Sequence, residues 1–345
     1  MLRKYSKSYG NMWQLKKSLT ENDKAMAEKD AKYREIYKKQ PERTACKLCG
    51  EQAANKRMRF DVSGVEYWVC GNCGHINGAY QDTKTFCDAI YAKDSGYGDT
   101  YRDMSEDLFH KRVEAVYIPK ADFLKQSLIE SGIDIRKISL LDVGGGAGHF
   151  VAACRSLGIK SKGIEVDEES VRISEKFMSG EGLIYVSPEK VCGEIENAKE
   201  EIVSFIFNLE HVLNLEEILE SIEKNKNIRY IFFAVPMFSY AAILSALTER
   251  MFDRMFNGSV HTHLFSNESV EWLCSKYHWE KLGIWRFGAD VADLLRIMTV
   301  SLENKGNSSL AELLHKKMAS QIDQFQRVID EAEFCSEIHA VVQKE

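Results

Sequence analysis

The spacing of apolar residues predicts alternating strands and helices over the second half of the chain. Seven apolar runs of four to eight residues are separated in most places by stretches of helical period. Strands that alternate with helices along a chain form a parallel sheet, and the fold class is therefore α/β. The predicted strands are 138–143, 160–166, 183–186, 202–207, 230–235, 281–287 and 336–343.

Two longer apolar or helical stretches interrupt this alternation. Residues 289–333 have a helical pattern that is broken only around 304–308. Because the sixth and seventh strands flank this insertion, we expect them to be neighbours in the sheet. Residues 237–256 are apolar, rich in methionine and predict a further helix, which is either core or part of a lid, 237–262, over a bound ligand.

The N-terminal part of the chain predicts one helix. Residues 12–39 are rich in Lys, Glu, Ala and Met and contain neither proline nor glycine. Apolar side chains trace one face only loosely, so we expect a solvated helix that packs on its own domain. Pro41 ends this helix because it cannot continue the backbone hydrogen bonding.

Two pairs of cysteines predict a metal site. Two residues separate the cysteines of each pair, and twenty residues lie between the pairs. This spacing is typical of zinc sites in which two tight turns supply four thiolates. Four sulfur ligands leave no open position, so the expected Zn²⁺ is structural. The predicted ligands are Cys46, Cys49, Cys70 and Cys73. The neighbouring His75 is either a spare ligand or, as the preferred interpretation, a surface residue.

An aromatic segment punctuated by glycine connects the cysteine pairs to the predicted sheet. It covers 91–101 and is followed by a helical pattern over 105–132. Two interpretations stay open: the segment lies over a ligand and supplies a tyrosine hydroxyl, or it is a linker with tyrosines packed at its ends. Tyr97, in the middle of the segment, is the candidate for a ligand contact.

Charge and composition narrow the range of partners. The formal net charge is −6, from 46 basic and 52 acidic residues, which disfavours a general nucleic-acid surface. No stretch approaches the roughly 20 apolar residues that span a bilayer, and the first residues lack the apolar core of a signal peptide. We therefore expect a cytoplasmic protein without a membrane partner, in which the nine cysteines are mostly reduced. The oligomeric state stays open.

A glycine-rich turn follows the first predicted strand of the sheet. Asp142 precedes Gly144, Gly146 and Gly148, which allow a ligand to approach the amides at the start of the next helix. The second strand ends at Glu165, about twenty residues further on, where a carboxylate can accept both ribose hydroxyls of an adenosine. A carboxylate before the turn would repel a pyrophosphate, so the pattern favours a cationic ligand.

These residues resemble the cofactor site of class I S-adenosylmethionine-dependent methyltransferases. In that family the glycine turn passes the amino-acid part of S-adenosylmethionine, and the acidic residue ending the second strand binds the ribose. The resemblance covers 105–345 and implies a Rossmann-like sheet of seven strands with an antiparallel last strand. Residues 208–213 and 233–236 resemble the segments after the fourth strand and at the end of the fifth. The cofactor-binding residues implied are Asp142, Gly144, Gly146, Gly148, Glu165, Asn208 and Glu210, with Tyr97 as a further candidate.

The cysteine pairs and the tyrosine-rich connector are similar to a branch of that family with an N-terminal zinc module, which includes methyltransferases of nucleotide-linked deoxysugars. Residues 260–270 resemble a segment near the substrate, where C-methyltransferases have a Glu-His pair that handles a proton. His263 matches the histidine of that pair, but Thr262 replaces the glutamate, which weakens a C-methylation interpretation. The candidate proton acceptors are His263, His211 and His261; if the chain is extended, His261 and His263 face the same side.

The sequence thus predicts an N-terminal helical segment (1–41), a zinc module (42–85), a connector and helix covering the cofactor site (86–137) and a methyltransferase domain (138–345). The expected reaction transfers a methyl group from S-adenosylmethionine to a small-molecule acceptor, with a hydroxyl of a sugar or sugar-nucleotide-like metabolite as the leading possibility. Three alternatives stay open: an RNA methyltransferase whose zinc module binds the substrate, a C-methyltransferase acting on a keto-deoxysugar, and a non-catalytic binding module of the same fold.

Overall fold

Two sheets, one large and one small, organise the molecule. The computed structural model describes residues 1–8, 22–91, 104–178, 180–248, 251–256 and 259–345. The strands are β1 Leu2–Tyr5, β2 Lys56–Val62, β3 Val65–Cys70, β4 Ile76–Gly78, β5 Ser139–Val143, β6 Lys160–Glu165, β7 Ile184–Tyr185, β8 Ile202–Ile206, β9 Tyr230–Pro236, β10 Glu280–Phe287 and β11 Glu337–Gln343. The large sheet has the order β1-β10-β11-β9-β8-β5-β6-β7, and the small sheet has the order β2-β3-β4.

The predicted parallel sheet with an antiparallel last strand is confirmed. Strands β5 to β9 pair in parallel, whereas β11 lies between β9 and β10 and is antiparallel to both. Successive residues of β9 face opposite sides, as the pleat of a strand requires. Ile231 and Phe233 belong to one hydrophobic cluster, and Tyr230 and Phe232 belong to another. Both faces of the sheet are therefore buried, which explains the nearly continuous apolar runs of the sequence.

The structure adds an eighth strand that the sequence does not predict. β1 pairs in parallel with β10 at one edge of the sheet. The backbone amide of Ser6 donates a hydrogen bond to the Arg286 carbonyl (2.9 Å), and the Trp285 indole donates one to the Ser6 carbonyl (3.0 Å). The four residues of β1 include two basic side chains and show no clear alternation of apolar and polar positions. Pairing with the distant strand β10 therefore defines this element.

The helices occupy most of the positions that the pattern predicts. They are α1 Asp23–Tyr37, α2 Lys84–Tyr91, α3 Glu106–Arg112, α4 Ile118–Glu130, α5 His149–Ser156, α6 Glu168–Phe177, α7 Val191–Asn197, α8 Leu215–Lys224, α9 Tyr240–Ser245, α10 Asn267–Lys276, α11 Asp290–Asn304, α12 Ser308–Met318 and α13 Ile322–Glu331. A π-helical turn, Val113–Tyr117, joins α3 to α4, so the helix expected over 105–132 is nearly continuous. The predicted insertion before β11 consists of α11, α12 and α13. In the part of the chain that the structure describes, no helix is long and apolar enough to cross a membrane.

The prediction of a helix over 237–256 is wrong about the length of the helix. Helix α9 covers only Tyr240–Ser245, and residues 251–256 have no helical structure. Met251, Phe252 and Met255 are nevertheless buried, so the segment belongs to the core. A short apolar run does not by itself distinguish a helix from an irregular buried segment, which is why the sequence pattern misled here.

The small sheet forms the scaffold of the cysteine pairs. β2 and β3 form an antiparallel hairpin whose turn, Ser63 and Gly64, has φ values of 53° and 76°. Two consecutive residues with positive φ are typical of the type I′ turn, which matches the twist of the flanking strands. Cys70 ends β3, and Cys73 lies in the turn between β3 and β4.

Candidate active site

The glycine turn follows β5 and requires glycine at specific positions. Gly144, Gly146 and Gly148 have φ values of 70°, 55° and 85°, which side chains of L-residues rarely adopt. A Cβ atom on Gly144 would overlap the side-chain amide of Asn208. The amides of Gly144 and its successor both donate to the Ile164 carbonyl, at 2.9 and 3.1 Å. The turn is therefore fixed against the end of β6.

Glu165, the last residue of β6, lies directly against this turn. One carboxylate oxygen accepts the Gly146 amide at 2.7 Å, and the other accepts the amides of Val166 and Asp167 at 2.7 and 3.0 Å. Burial raises the pKa of Glu165, while the three amide donors oppose that shift because they stabilise the charged form. The carboxylate thus has a fixed position beside the glycine turn.

Asp142 lies in β5, directly before the glycine turn. Its carboxylate is fully buried and accepts a hydrogen bond from the Ser204 hydroxyl of β8 at 2.7 Å. Burial raises the pKa of Asp142 to about 7, and the Ser204 hydrogen bond acts in the opposite direction. The hydrogen bond between Ser204 and Asp142 therefore links β5 to β8.

The chain reverses sharply after β8. Phe207 has a φ of 56°, which is an outlier for a bulky residue, and its amide donates to the Ala234 carbonyl at 2.8 Å. The Lys120 ammonium lies 4.3 Å from the centre of the Phe207 ring. Because of this reversal, Asn208 contacts the glycine turn while Phe207 and Glu210 line a neighbouring cavity. Strained backbone of this kind is concentrated at functional sites.

The cavity has a volume of about 290 Å³ and lies beside the carboxyl ends of β8 and β9. Its lining combines aromatic and aliphatic side chains with several ionisable groups. The ionisable residues are Glu210, His211, Arg254, His261, Asp293, Arg296 and Glu337. Ligands of open α/β sheets bind at this edge, because the loops there surround a crevice outside the carboxyl ends of the strands.

Glu210, His211 and His261 form a compact cluster in the wall of the cavity. The rings of the two histidines are 5.0 Å apart, and His211 Nε2 lies 4.0 Å from a Glu210 oxygen. Burial raises the pKa of Glu210 to about 8. Burial also lowers the pKa of His211 to about 3 and that of His261 to about 4, so both imidazoles are neutral at neutral pH.

Thr262 connects the two segments that carry this cluster. Its hydroxyl lies 3.1 Å from the Glu210 carbonyl and 3.0 Å from the Val212 carbonyl, and the His263 amide donates to the Glu210 carbonyl at 3.0 Å. The residue that departs from the Glu-His pair of similar enzymes therefore holds His261 beside His211. This contact has no signal in the sequence, because it depends on which backbone lies opposite Thr262.

His263 lies elsewhere, beneath the small sheet. Its Nδ1 is 3.4 Å from Nε2 of His75, and its ring stacks on Phe265. The interpretation of His75 as a surface residue is wrong, since the side chain is 0% exposed. The chain bends at Thr262, so His261 and His263 do not face the same side as an extended segment would require. His263 is absent from the cavity lining among the described residues.

The four predicted zinc ligands come together. The Sγ atoms of Cys46 and Cys73 are 3.6 Å apart, as are those of Cys49 and Cys70, and all four lie within 4.8 Å of one another. Tetrahedral zinc with bonds of about 2.3 Å would place its sulfurs about 3.8 Å apart, so the donor set fits the ion. The Asn77 amide lies 3.4 Å from Cys46 Sγ and provides an outer hydrogen bond.

The cysteine module is joined to the segment that carries His261. Ile76 of β4 pairs with Leu264, and the Ser266 hydroxyl donates to the Gly74 carbonyl at 2.8 Å. Ser266 also caps α10 in a reciprocal capping box in which Ser269 takes the place usually occupied by glutamate. The module therefore supports one wall of the cavity.

Of the predicted site residues, the structure brings three groups together. The first comprises the glycine turn, Glu165 and Asn208, the second comprises Glu210, His211 and His261, and the third comprises the four cysteines. Tyr97 and the rest of 92–103 lie outside the described residues. The sequence analysis missed Arg254, which lines the cavity, and Lys120, which lies against the cavity residue Phe207. A basic residue within a helix or an irregular segment has no local signal of such a position.

Comparisons with known proteins found one family model and a set of similar solved structures. A family model described as a methyltransferase domain matches residues 110–282. The chain is similar to a SAM dependent methyltransferase from Archaeoglobus fulgidus, with 14% identity, coverage of 70% of this chain and 100% of that chain, and a TM-score of 0.40. It is also similar to magnesium protoporphyrin IX methyltransferase from Synechocystis PCC 6803 with bound SAH, with 10% identity, coverage of 76% and 100%, and a TM-score of 0.42.

No curated protein matches the sequence of the chain. The family model spans half of the chain and includes the glycine turn, Glu165 and the segment after β8. The chain therefore belongs to the methyltransferase domain family.

Proposed function

We propose that the enzyme methylates a hydroxyl of a small molecule, such as a sugar or sugar-nucleotide-like metabolite, bound in the cavity beside β8. The observation that carries this proposal is the Glu210, His211 and His261 cluster in the cavity wall, next to the turn that contacts the cofactor loop. A cavity of about 290 Å³ suits a small acceptor.

The cofactor side of the site rests on residues that suit an adenosyl sulfonium. Glu165 would accept a ribose hydroxyl through the lone pair that its three amide donors leave available. The glycine turn would pass the amino-acid part, with Asp142 and Asn208 fixing its shape. S-adenosylmethionine supplies an electrophilic methyl group, so the protein has to align the acceptor, exclude water and accommodate the loss of one proton.

The acceptor side of the site requires a group that promotes the loss of the proton from the acceptor hydroxyl. Of the three candidate histidines, His211 and His261 line the cavity, whereas His263 is buried against His75. The pKa values of both cavity imidazoles are lowered by burial, so each keeps a lone pair at neutral pH. We assign the loss of the acceptor proton to this cluster.

Isothermal titration with S-adenosylmethionine tests the cofactor assignment. We expect Glu165→Ala to weaken binding at least tenfold, because it removes the acceptor for the ribose hydroxyls. The matched control is Glu194→Ala, an exposed glutamate of α7, which should bind like the wild type. Equal binding by wild type and Glu165→Ala would exclude the role of Glu165.

Methyl transfer to a panel of sugars and nucleotide sugars tests the acceptor class. With labelled S-adenosylmethionine, we expect the label on a hydroxyl oxygen of at least one member, and a loss of about 100-fold or more in His211→Ala. The exposed His110→Ala is the control and should retain activity. Label found on RNA or on a carbon atom instead would contradict the proposal.

A further inference from the structure

We infer that Glu210, His211 and His261 bind a divalent transition-metal ion in the acceptor cavity, and that this ion holds the oxygen of the acceptor. The location of the acceptor rests on the proposed function, whereas the metal site itself rests on the geometry of three side chains. The ion would be separate from the one expected at the four cysteines.

The three side chains are close enough to share an ion. One ligand atom from each lies within 4.8 Å of the other two. His211 Nε2 is 4.0 Å from the Glu210 oxygen, which is too long for a hydrogen bond. Bonds of about 2.0–2.2 Å to a shared ion place ligand atoms roughly 3 to 4 Å apart, so only small side-chain shifts are needed.

Hydrogen bonds orient both imidazoles as metal ligands. Nδ1 of His261 lies 2.5 Å from the Met255 carbonyl, which can only accept, so Nδ1 carries the proton and Nε2 keeps its lone pair. A hydrogen bond with the Val260 backbone anchors the ring of His211. This bond raises the pKa of His211, whereas the larger effect of burial lowers it. Histidines that bind metals usually donate their second nitrogen to a carboxylate, a backbone carbonyl or water, and a backbone carbonyl fills that role for His261.

The Glu210 carboxylate supplies an independent sign of a missing ligand. The side chain is 1% exposed, and among the described residues no donor reaches its Oε2. The other cavity carboxylates differ, because Arg254 lies 3.0 Å from an Asp293 oxygen and 3.7 Å from a Glu337 oxygen. A buried carboxylate oxygen without a partner is unfavourable, and a bound cation would remove that cost.

The donor set and its position indicate the type of site. Two imidazole nitrogens and one carboxylate oxygen suit Zn²⁺, Fe²⁺, Mn²⁺ or Co²⁺ better than Mg²⁺ or Ca²⁺. Three protein ligands leave at least one coordination position open, and the cluster faces the cavity. A hydroxyl bound at that position would release its proton to water at a lower pH, because the cation stabilises the oxygen anion.

Titration with Mn²⁺ tests the inference in the full-length, zinc-loaded protein. Mn²⁺ binds thiolates weakly and should leave the cysteine site undisturbed. We expect the wild type to bind one Mn²⁺ per chain, seen by calorimetry and by loss of the free Mn²⁺ paramagnetic resonance signal. His261→Ala and Glu210→Gln should each weaken binding at least tenfold, and His110→Ala should bind like the wild type. Zinc content and circular dichroism identify any variant that fails to fold, and Glu210→Gln is the more conservative of the two.

The outcomes separate this inference from the proposed function. No Mn²⁺ binding by the wild type, or equal binding by both variants, would overturn the metal site. If chelator-treated protein that retains its cysteine-bound zinc still methylates a hydroxyl at the full rate, the metal inference fails and the proposed function stands. If Mn²⁺ binds as expected but no hydroxyl acceptor is methylated, the metal site stands and the proposed function fails.

Discussion

The four cysteines and the Glu210, His211 and His261 cluster are both groups of metal-ligating side chains, but they differ in closure. The cysteine cluster has four soft donors on two local turns, surrounded by the small sheet and its hydrophobic contacts. The second cluster has three donors, and it lines a cavity. A closed set of four sulfurs suits a structural ion, while an incomplete set beside a cavity suits chemistry on a bound molecule.

The two clusters also differ in how well their polar atoms are paired. The cysteines lie in contact with one another and with Asn77. Glu210 keeps a buried oxygen without a donor among the described residues. The cysteine cluster supports the fold, whereas the cluster of Glu210, His211 and His261 is held in place by the fold, so substitutions should affect the two clusters in opposite ways.

Substitution in the closed cluster should have the largest effect. Cys70→Ser removes one of four ligands, and structural zinc contributes on the order of 10 kcal/mol to folding of such modules. We expect loss of the bound zinc and a fall in Tm of at least about 10 °C, measured by metal analysis and thermal unfolding. Cys192→Ser, a half-buried cysteine outside the cluster, is the control and should keep both. A zinc-free Cys70→Ser protein with unchanged Tm would show that the ion is dispensable for the fold.

Substitution in the open cluster should abolish activity and leave the fold intact. Glu210→Gln keeps the size of the buried side chain and removes its carboxyl group. We expect methyl transfer to fall about 100-fold or more, whereas Tm stays the same or rises, because function is commonly supported by an unfavourable arrangement. A parallel loss of Tm and activity would mean that Glu210 is structural after all. Glu194→Gln is the exposed control.

Ser266 links the two regions, and its loss should have a moderate effect. Ser266→Ala removes both the cap of α10 and the hydrogen bond to Gly74 of the cysteine module. We expect a destabilisation of about 1–2 kcal/mol, measured by denaturant unfolding. Ser105→Ala removes a cap of α3 that makes no contact of this kind, and it should cost less. Equal losses in the two variants would indicate that the contact with the module contributes nothing.

The exposed ion pair between the same regions should have the smallest effect. Arg57 lies 2.5 Å from Glu268 of α10, and both side chains are more than half exposed. Exposed pairs contribute roughly 0–1 kcal/mol, so Arg57→Ala should change the free energy of unfolding by no more than about 0.5 kcal/mol. A change above 1 kcal/mol that disappears at high salt would show that the pair holds the module in place.

The features that could be predicted from the sequence are those with local signals. The spacing of Cys46, Cys49, Cys70 and Cys73 predicted the closed cluster, because each pair lies on one short turn. The apolar runs predicted seven strands of the large sheet, because strands buried on both faces are continuously apolar. The glycines after β5 and the position of Glu165 at the end of β6 followed from the same strand pattern.

Contacts between side chains that are distant in the sequence depend on the three-dimensional packing. Thr262 pairs with the backbone after β8, and this contact places His261 rather than His263 beside His211. The small sheet buries His75 against His263, and β10 recruits β1 as an edge strand. These contacts join residues far apart in the chain through a bend or a backbone reversal. Neither hydrophobic period nor residue type specifies that geometry, so the acceptor side of the site became visible only in three dimensions.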